Sequence, residues 1–396
     1  MKEKRKRILF INRYFEVGGI QSSLINMANS LCEEYDVDIL AYYPEGSLKG
    51  RLDSRVNIIE PSWRLKALGM SSLKDTLRSH NLFVFLFRLF GTLWSRIFDN
   101  KLPVSLAVKH QKKLSGYDLA IAYRTETRKE LVISGYARVL DKCVEAKTKA
   151  VWVHCDAQKI NVSKEFNKEF YNCADKIVGV SKSVMEIFES VYPDFTEKMD
   201  YCYNFMNYGE IISKSNEKQA VSYPENKFIC FSACRLSEEK GVVRAIKAFS
   251  PVLKKHEDVL WYIAGDGPER ESIENAIKEE KLESRIILLG RQSNPYPYMK
   301  NSDLYLSLSY HEAAPMVYME AKALHIPVFS TETSSSYEML KDGIEDFICE
   351  NSEDGIRNKF SEIMDDRKKI LSAANNLKSY IGNNDMSFRK IEEWTE

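Results

Sequence analysis

The sequence predicts an α/β chain built as two Rossmann-like parallel-sheet domains facing a cleft. Three observations carry this expectation. Short apolar runs recur along the chain, separated by helical or polar stretches; such β–α alternation implies parallel sheets with helices on both faces. At 396 residues the chain is too long for one core and suits two domains. The alternation also pauses once, over polar residues around Gly209 and Pro224, and then restarts. The expected boundaries are 1–205 for an N-terminal domain, 206–226 for a linker and 227–375 for a C-terminal domain. Residues 376–396 are expected to be a helix packing back on the first domain.

Ile8–Asn12 reads as the first strand. Val17-Gly18-Gly19 follows, then a helix from about Gln21 with an apolar stripe at Ile20, Leu24, Met27, Ala28 and Leu31. Strand, glycine turn and helix together let a backbone approach a phosphate closely; a plain tight turn is the alternative. Further strands are expected over 36–43, 56–60, 117–123, 149–154 and 176–181. Asp36-Val37-Asp38 has the look of a metal-binding D-x-D, but it sits at a strand start and reads as ordinary edge polarity. In the second half, strands are expected over 228–233, 259–264, 285–289, 304–308 and 326–330, with helices from about Val242 and over 269–280.

Composition narrows the function classes. Apolar content of 44% and charge of 29% are ordinary for a globular protein. The zero net charge is unevenly spread, with 32 Lys and Arg against 25 Asp and Glu in residues 1–200 and the reverse in the remainder. Residues 49–113 carry 13 basic and 4 acidic side chains, a bias that attracts anionic surfaces. Within that region lies an apolar segment, 82–98, interrupted by Arg88 and Arg96. It fits a helix lying in a membrane interface with Phe and Trp in the lipid and Arg toward headgroups, or alternatively a core helix of the first domain. Ile8–Ile11 is too short for a signal sequence, and no run of 18 uncharged apolar residues exists. The eight scattered cysteines have no C-x-x-C and read as reduced thiols, with neither a disulfide frame nor a zinc site expected. Nucleic acid is not an expected partner, because the basic stretch is interleaved with aliphatic surface and has no accompanying motif.

The chemistry concentrates in the stretch from His311 to Leu324. Pro315 fits the first position of a helix, which places Glu312 in the preceding turn. Glu320 then lies about one and a half turns inside, sharing a face with Met316, Ala323 and Leu324. A carboxylate on that face needs a polar partner or a ligand. The backbone N–H groups around Ala314, Pro315 and Met316, with the helix dipole, suit an anion. Two acids beside an anion site suggest a nucleotide sugar. Upstream, Arg235 and Lys240 bracket a loop at the carboxyl end of a strand and suit a diphosphate. Gly265-Asp266-Gly267-Pro268 closes the next strand as a turn. His154 ends a strand of the first half.

Gly18-Gly19 opening a helix, Arg235-x4-Lys240-Gly241, Ala264-Gly265-Asp266-Gly267-Pro268 and Glu312-x7-Glu320 occur in this order. Together they resemble the retaining glycosyltransferases of the GT-B fold, family 4 or glycosyl transferases group 1, of the capsule and exopolysaccharide biosynthesis type. The resemblance covers most of the second half and the first strand–helix unit; residues 45–145 match only in outline. It implies that Glu320 binds the donor ribose and Glu312 the hydroxyls of the transferred sugar. Arg235 and Lys240 would hold the diphosphate, with Gly267, Ala314, Pro315 and Met316 lining the donor. Gly18 and Gly19 would admit the donor from the first domain, His154 would stand near the donor sugar, and Glu338 would order a loop. No cofactor and no metal is expected, because fixed cations take the metal's place.

Ala313 and Cys234 stand where the family usually has glycine, and the turn at Gly343-Ile344-Glu345-Asp346-Phe347 lacks its customary glycine. The expected function is retaining, metal-independent transfer of a hexose from a nucleotide-diphosphate sugar, UDP-sugar favoured. The acceptor is a lipid-linked saccharide or oligosaccharide in bacterial surface polysaccharide assembly. The expected location is cytoplasmic, on the inner membrane face through 82–98. Two rivals stay open: a non-catalytic partner subunit that binds a nucleotide sugar or another transferase, and a UDP-sugar epimerase on the same fold.

Overall fold

The computed structural model describes residues 4–70, 73–78, 81–126, 130–158 and 164–396. They form two compact units. One comprises residues up to Phe205 together with Asn384–Glu396, and the other is Met206–Asn383. Each is built on its own Rossmann-like parallel sheet, and the pair of such domains is the GT-B architecture.

The first unit holds β1 (Arg7–Asn12), β2 (Asp36–Ala41), β3 (Asn57–Ile59), β4 (Leu114–Ala122), β5 (Val144–Val153), β6 (Lys176–Gly179) and β7 (Met199–Tyr201). They pair in the order β3-β2-β1-β4-β5-β6-β7, all parallel. Strands covered on both faces need near-continuous apolar sequence; Ile8–Ile11 and Leu119–Ala122 are accordingly buried. The Gly19–Leu31 helix covers the sheet with Leu24, Met27, Ala28 and Leu31. Asp36 is exposed as edge polarity would have it, but Asp38 is buried, and its carboxylate takes Arg7 at 2.8 Å, the Tyr117 hydroxyl at 2.7 Å and the Asn57 amide at 2.7 Å.

The second unit holds β8 (Phe228–Ala233), β9 (Val259–Ala264), β10 (Ile286–Gly290), β11 (Leu304–Ser307), β12 (Val328–Thr331) and β13 (Phe347–Cys349), ordered β10-β9-β8-β11-β12-β13 and all parallel. The strand order reverses between β8 and β11. In open α/β sheets, the crevice beyond the carboxyl ends at such a switch point is where ligands bind. Of the three-residue edge strands, β3 was expected over 56–60, while β7 and β13 escaped the sequence reading. Residues 206–226, expected as a linker, open with the helix Tyr208–Ser215, which is capped by Asn207 through the Glu210 N–H at 3.0 Å.

Segment 82–98 is not the core helix of the alternative reading, and it departs from the interfacial reading at Arg88. A helix spans Leu82–Ile97, capped by Asn81 through the N–H groups of Phe83 and Val84. Its face is inverted. Val84, Arg88, Gly91 and Ser95 are buried, while Phe83, Leu86, Phe90, Leu93 and Ile97 are exposed, with Phe83 at 74% and Ile97 at 71%. Arg88 does not point outward with Arg96. It turns in to donate to the Leu68 carbonyl at 2.8 Å, at the end of the helix Trp63–Gly69, where free carbonyls favour a cation. Among the described residues no helix is long and apolar enough to cross a membrane.

Candidate active site

The second unit gathers its charged candidates at the β8/β11 switch point. The loop after β8 carries Arg235 and Lys240; the loop after β11 carries Glu312. Lys240 Nζ donates to Glu312 Oε1 at 2.6 Å, and Ser309 Oγ donates to the same oxygen at 2.7 Å. Burial would lower the Lys240 pKa, but the charge and hydrogen bond of Glu312 outweigh it, so the net shift is upward. Lys240 therefore stays a cation throughout the neutral range. Arg235 is exposed and its side chain forms no hydrogen bond or ion pair among the described residues, so its planar fork is available to an anion.

Glycines bring these loops together. Gly241 has φ +64°, and a Cβ there would overlap the Leu308 carbonyl, so the start of the Val242–Lys255 helix rests directly on the β11 loop. Gly267 packs as closely on the Leu236 backbone, beside Arg235, while its N–H bonds the Asp266 carboxylate at 2.9 Å. Cys234 occupies its unusual position as a shielded thiol, pushed up to about 11 by burial; such a group is a poor nucleophile.

The helix after Glu312 spans Met316–Ala323, one residue later than expected. Pro315 has ψ 117° and serves as the N-cap residue in place of the first helical position. Glu320 is half-buried and meets the Tyr296 hydroxyl at 3.2 Å, the polar partner its apolar surroundings demand. Ala314 and Met316 flank the helix start, with Ala313 beside them. Glu338 lies on the short helix Ser336–Met339.

Residues not foreseen hold the β11 loop. Arg244 stacks on Tyr310 at 3.8 Å and donates to the Leu308 carbonyl at 3.1 Å and the Asn351 side chain at 2.8 Å. Ser334 Oγ donates to the Glu312 carbonyl at 2.8 Å. Ser309 had a faint signal, three residues before Glu312; Arg244 and Asn351 had none, because their meeting is tertiary.

In the first unit, Gly18 and Gly19 open the helix after β1, and His154 ends β5. The His154 ring bonds the Tyr123 carbonyl through Nε2 at 3.0 Å and lies edge-on to the Tyr123 ring. A carbonyl can only accept, so Nε2 carries the proton. Burial, followed by the charge of Arg124, lowers its pKa to about 3, so the ring is neutral at physiological pH.

Residues 213–381, nearly the whole second unit, match the family described as glycosyl transferases group 1. An uncharacterized glycosyltransferase of Methanocaldococcus jannaschii is 30% identical over 168 residues, 42% of this chain and 41% of that protein. N-acetyl-alpha-D-glucosaminyl L-malate synthase of Bacillus anthracis is 27% identical over 45% of this chain and 46% of its own length. The chain thus spans less than half the length of these two relatives. At 22% identity a match extends over 98% of the chain and 97% of a Campylobacter jejuni protein. That relative is GalNAc-alpha-(1->4)-GalNAc-alpha-(1->3)-diNAcBac-PP-undecaprenol alpha-1,4-N-acetyl-D-galactosaminyltransferase. Among solved structures, Anabaena HepE in complex with UDP aligns over 98% of both chains with TM-score 0.67 at 19% identity. A glycosyltransferase of Rickettsia africae does so over 98% of both with TM-score 0.66 at 21% identity. At such identities these two likenesses establish the fold.

Proposed function

We propose that the chain moves a sugar from a nucleotide-diphosphate sugar, UDP-sugar favoured, to a saccharide acceptor, with retention and without a metal. The observation that carries this reading is the Lys240–Glu312 pair beside exposed Arg235 at the β8/β11 switch point. UDP in the Anabaena relative supports the choice of base. In this account Arg235, Lys240 and the N–H groups around Ala314–Met316 hold the diphosphate, with Gly267 alongside. Glu320 binds the ribose and Glu312 the hydroxyls of the transferred sugar.

The anomeric carbon loses its bond to the β-phosphate oxygen and gains one to the acceptor oxygen on the same face, and the departing phosphate takes the acceptor proton. Negative charge grows on the diphosphate as the bond breaks, and preorganised cations are worth most at that point. Within the first unit, neutral His154 can act as a hydrogen-bonding group rather than a charge, and the Gly18-Gly19 turn can let backbone approach a phosphate closely.

The acceptor in this account is a lipid-linked saccharide used in bacterial surface polysaccharide assembly, met at the inner membrane face. The exposed stripe Phe83, Leu86, Phe90, Leu93 and Ile97 supports that location. So do the exposed basic residues Arg96, Lys109, Lys112 and Lys113, since apolar insertion plus basic flanks suits an anionic leaflet. The Campylobacter relative's name, with its PP-undecaprenol-linked saccharide, supports the acceptor class.

Turnover of UDP-sugars with such an acceptor tests the reading, with the product anomer read by NMR. Arg235→Ala or Lys240→Ala is expected to lower kcat about 100-fold or more. Undiminished turnover in either variant, or an inverted product, would sink the account.

A further inference from the structure

The carboxyl end of the first unit's sheet holds three arginines, none of which has an ion-paired carboxylate among the described residues. Its strand order also reverses, between β1 and β4, where Ile11 pairs with Ala122. Arg13 leaves β1 and Arg124 leaves β4 at that level. Both guanidiniums face the Tyr14 ring, at 4.5 and 5.7 Å from its centroid. Their charges also converge on the buried Tyr136 hydroxyl, whose pKa burial raises against the pull of Arg124 and Arg13. Arg88 joins them: burial and then the charge of Arg13 push it down to about 10.

Part of this charge has a structural task. Arg13 donates to the carbonyls of Gly69 and Met70 at 3.1 and 3.5 Å, and Arg88 to that of Leu68. The two arginines thereby close the carboxyl end of the Trp63–Gly69 helix. A helix end supplies about half an elementary negative charge, against three full positive ones. No carboxylate forms an ion pair with any of the three among the described residues. The charge of Asp75 reaches Arg88 only as the last and smallest influence on it. Glu126 is engaged elsewhere, accepting from Ser134 Oγ and the N–H groups of Gly135 and Ala137. Two guanidinium nitrogens, Arg88 Nε and Arg124 Nη1, are buried without a hydrogen-bond partner. A buried charged donor left unpaired is costly, and its planar fork matches phosphate oxygens.

We propose that Arg13, Arg88 and Arg124, beside Tyr14, form an anion subsite in the first unit that takes a phosphate or diphosphate group. The inference rests on the proposed function in assigning that group to a phosphate-linked acceptor; the binding chemistry itself stands apart from it.

The test is calorimetric titration of the whole protein, with UDP saturating, using inorganic pyrophosphate and, separately, farnesyl diphosphate with farnesol as the uncharged control. Both phosphate probes are expected to bind. Arg13→Gln and Arg124→Gln are expected to weaken them about tenfold or more, Arg124→Lys to recover part of the loss, and UDP affinity to stay unchanged in all three. Tighter binding of farnesyl diphosphate than of pyrophosphate would assign the group to a lipid carrier; equal binding would assign it to the phosphate alone. Pyrophosphate and farnesyl diphosphate bound equally by wild type and both glutamine variants would overturn the subsite. A wild type that ignores UDP would instead overturn the donor reading, and the phosphate arm would still be read.

Discussion

Lys240 and Glu312 share one hydrogen bond of 2.6 Å at the mouth of the second sheet. The Lys240 pKa is raised in the fold, so the stability this pair contributes is present at neutral pH and is lost only as the pH climbs through that raised value. Gly241 sets the geometry behind it. Gly241→Ala would place a Cβ against the Leu308 carbonyl at positive φ, and the displaced loop carries Ser309 and Glu312. We expect at least tenfold weaker UDP binding in Gly241→Ala; wild-type affinity would show that the loop is not seated this way. His154 behaves differently. Its pKa of about 3 keeps it out of any titration between pH 5 and 8. His154→Gln should lower turnover and leave the shape of the kcat/KM pH profile over that range unchanged. A profile limb that vanishes in the variant would show that the ring titrates in function.

The inverted helix Leu82–Ile97 makes a prediction at the scale of one element. Leu86 and Phe90 are exposed, so Leu86→Glu and Phe90→Glu should leave Tm within a degree or two while abolishing co-flotation with anionic vesicles. Flotation that survives both changes would remove this stripe as the anchor, and a wild type that does not float would remove the membrane from the account. The helix Met316–Ala323 is anchored through Lys322, which meets Glu345 at 3.1 Å and Asp346 at 3.7 Å in a buried cluster. Burial, against the Lys322 charge and the Val328 and Lys341 N–H groups, raises the Asp346 carboxyl to about 6. The stability Asp346 contributes is therefore present below the ordinary aspartate value near 4 and is lost as the pH rises through about 6. In urea unfolding, the difference between wild type and Asp346→Asn should shrink by up to about 3 kcal/mol between pH 4 and 7. A pH-independent difference would contradict this ionisation.

Across the whole chain, the second unit begins at Met206 and the first resumes at Asn384. The resumed segment, Asp385–Thr395, packs Trp394 edge-on against Trp152 and Phe388 against Phe205, while Lys390 pairs with Asp200 at 3.0 Å. Trp394→Ala should destabilise the first unit by about 3–5 kcal/mol and leave UDP binding intact, with thermal unfolding as the readout.

Much of this was legible in the residues. Parallel strands buried on both faces announce themselves as apolar runs, and Pro315 with the strand before it placed Glu312 and Glu320 to within a residue. Other features were hidden for physical reasons. A three-residue strand carries too little period to be found reliably, so β3 was read and β7 and β13 were not. Periodicity groups Phe83 with Leu86 and Phe90 but cannot say that this face turns outward, because the inward pull on Arg88 comes from the distant Leu68 carbonyl. Arg13, Arg88 and Arg124 meet only once β1 lies beside β4.

The most direct measurement is equilibrium binding of UDP, GDP and ADP to wild type, Arg235→Ala and Glu320→Ala. The account predicts that UDP binds and that each variant loses about tenfold or more in affinity. No nucleotide bound, or UDP bound equally by all three proteins, would contradict a donor site built from the loops after β8 and β11.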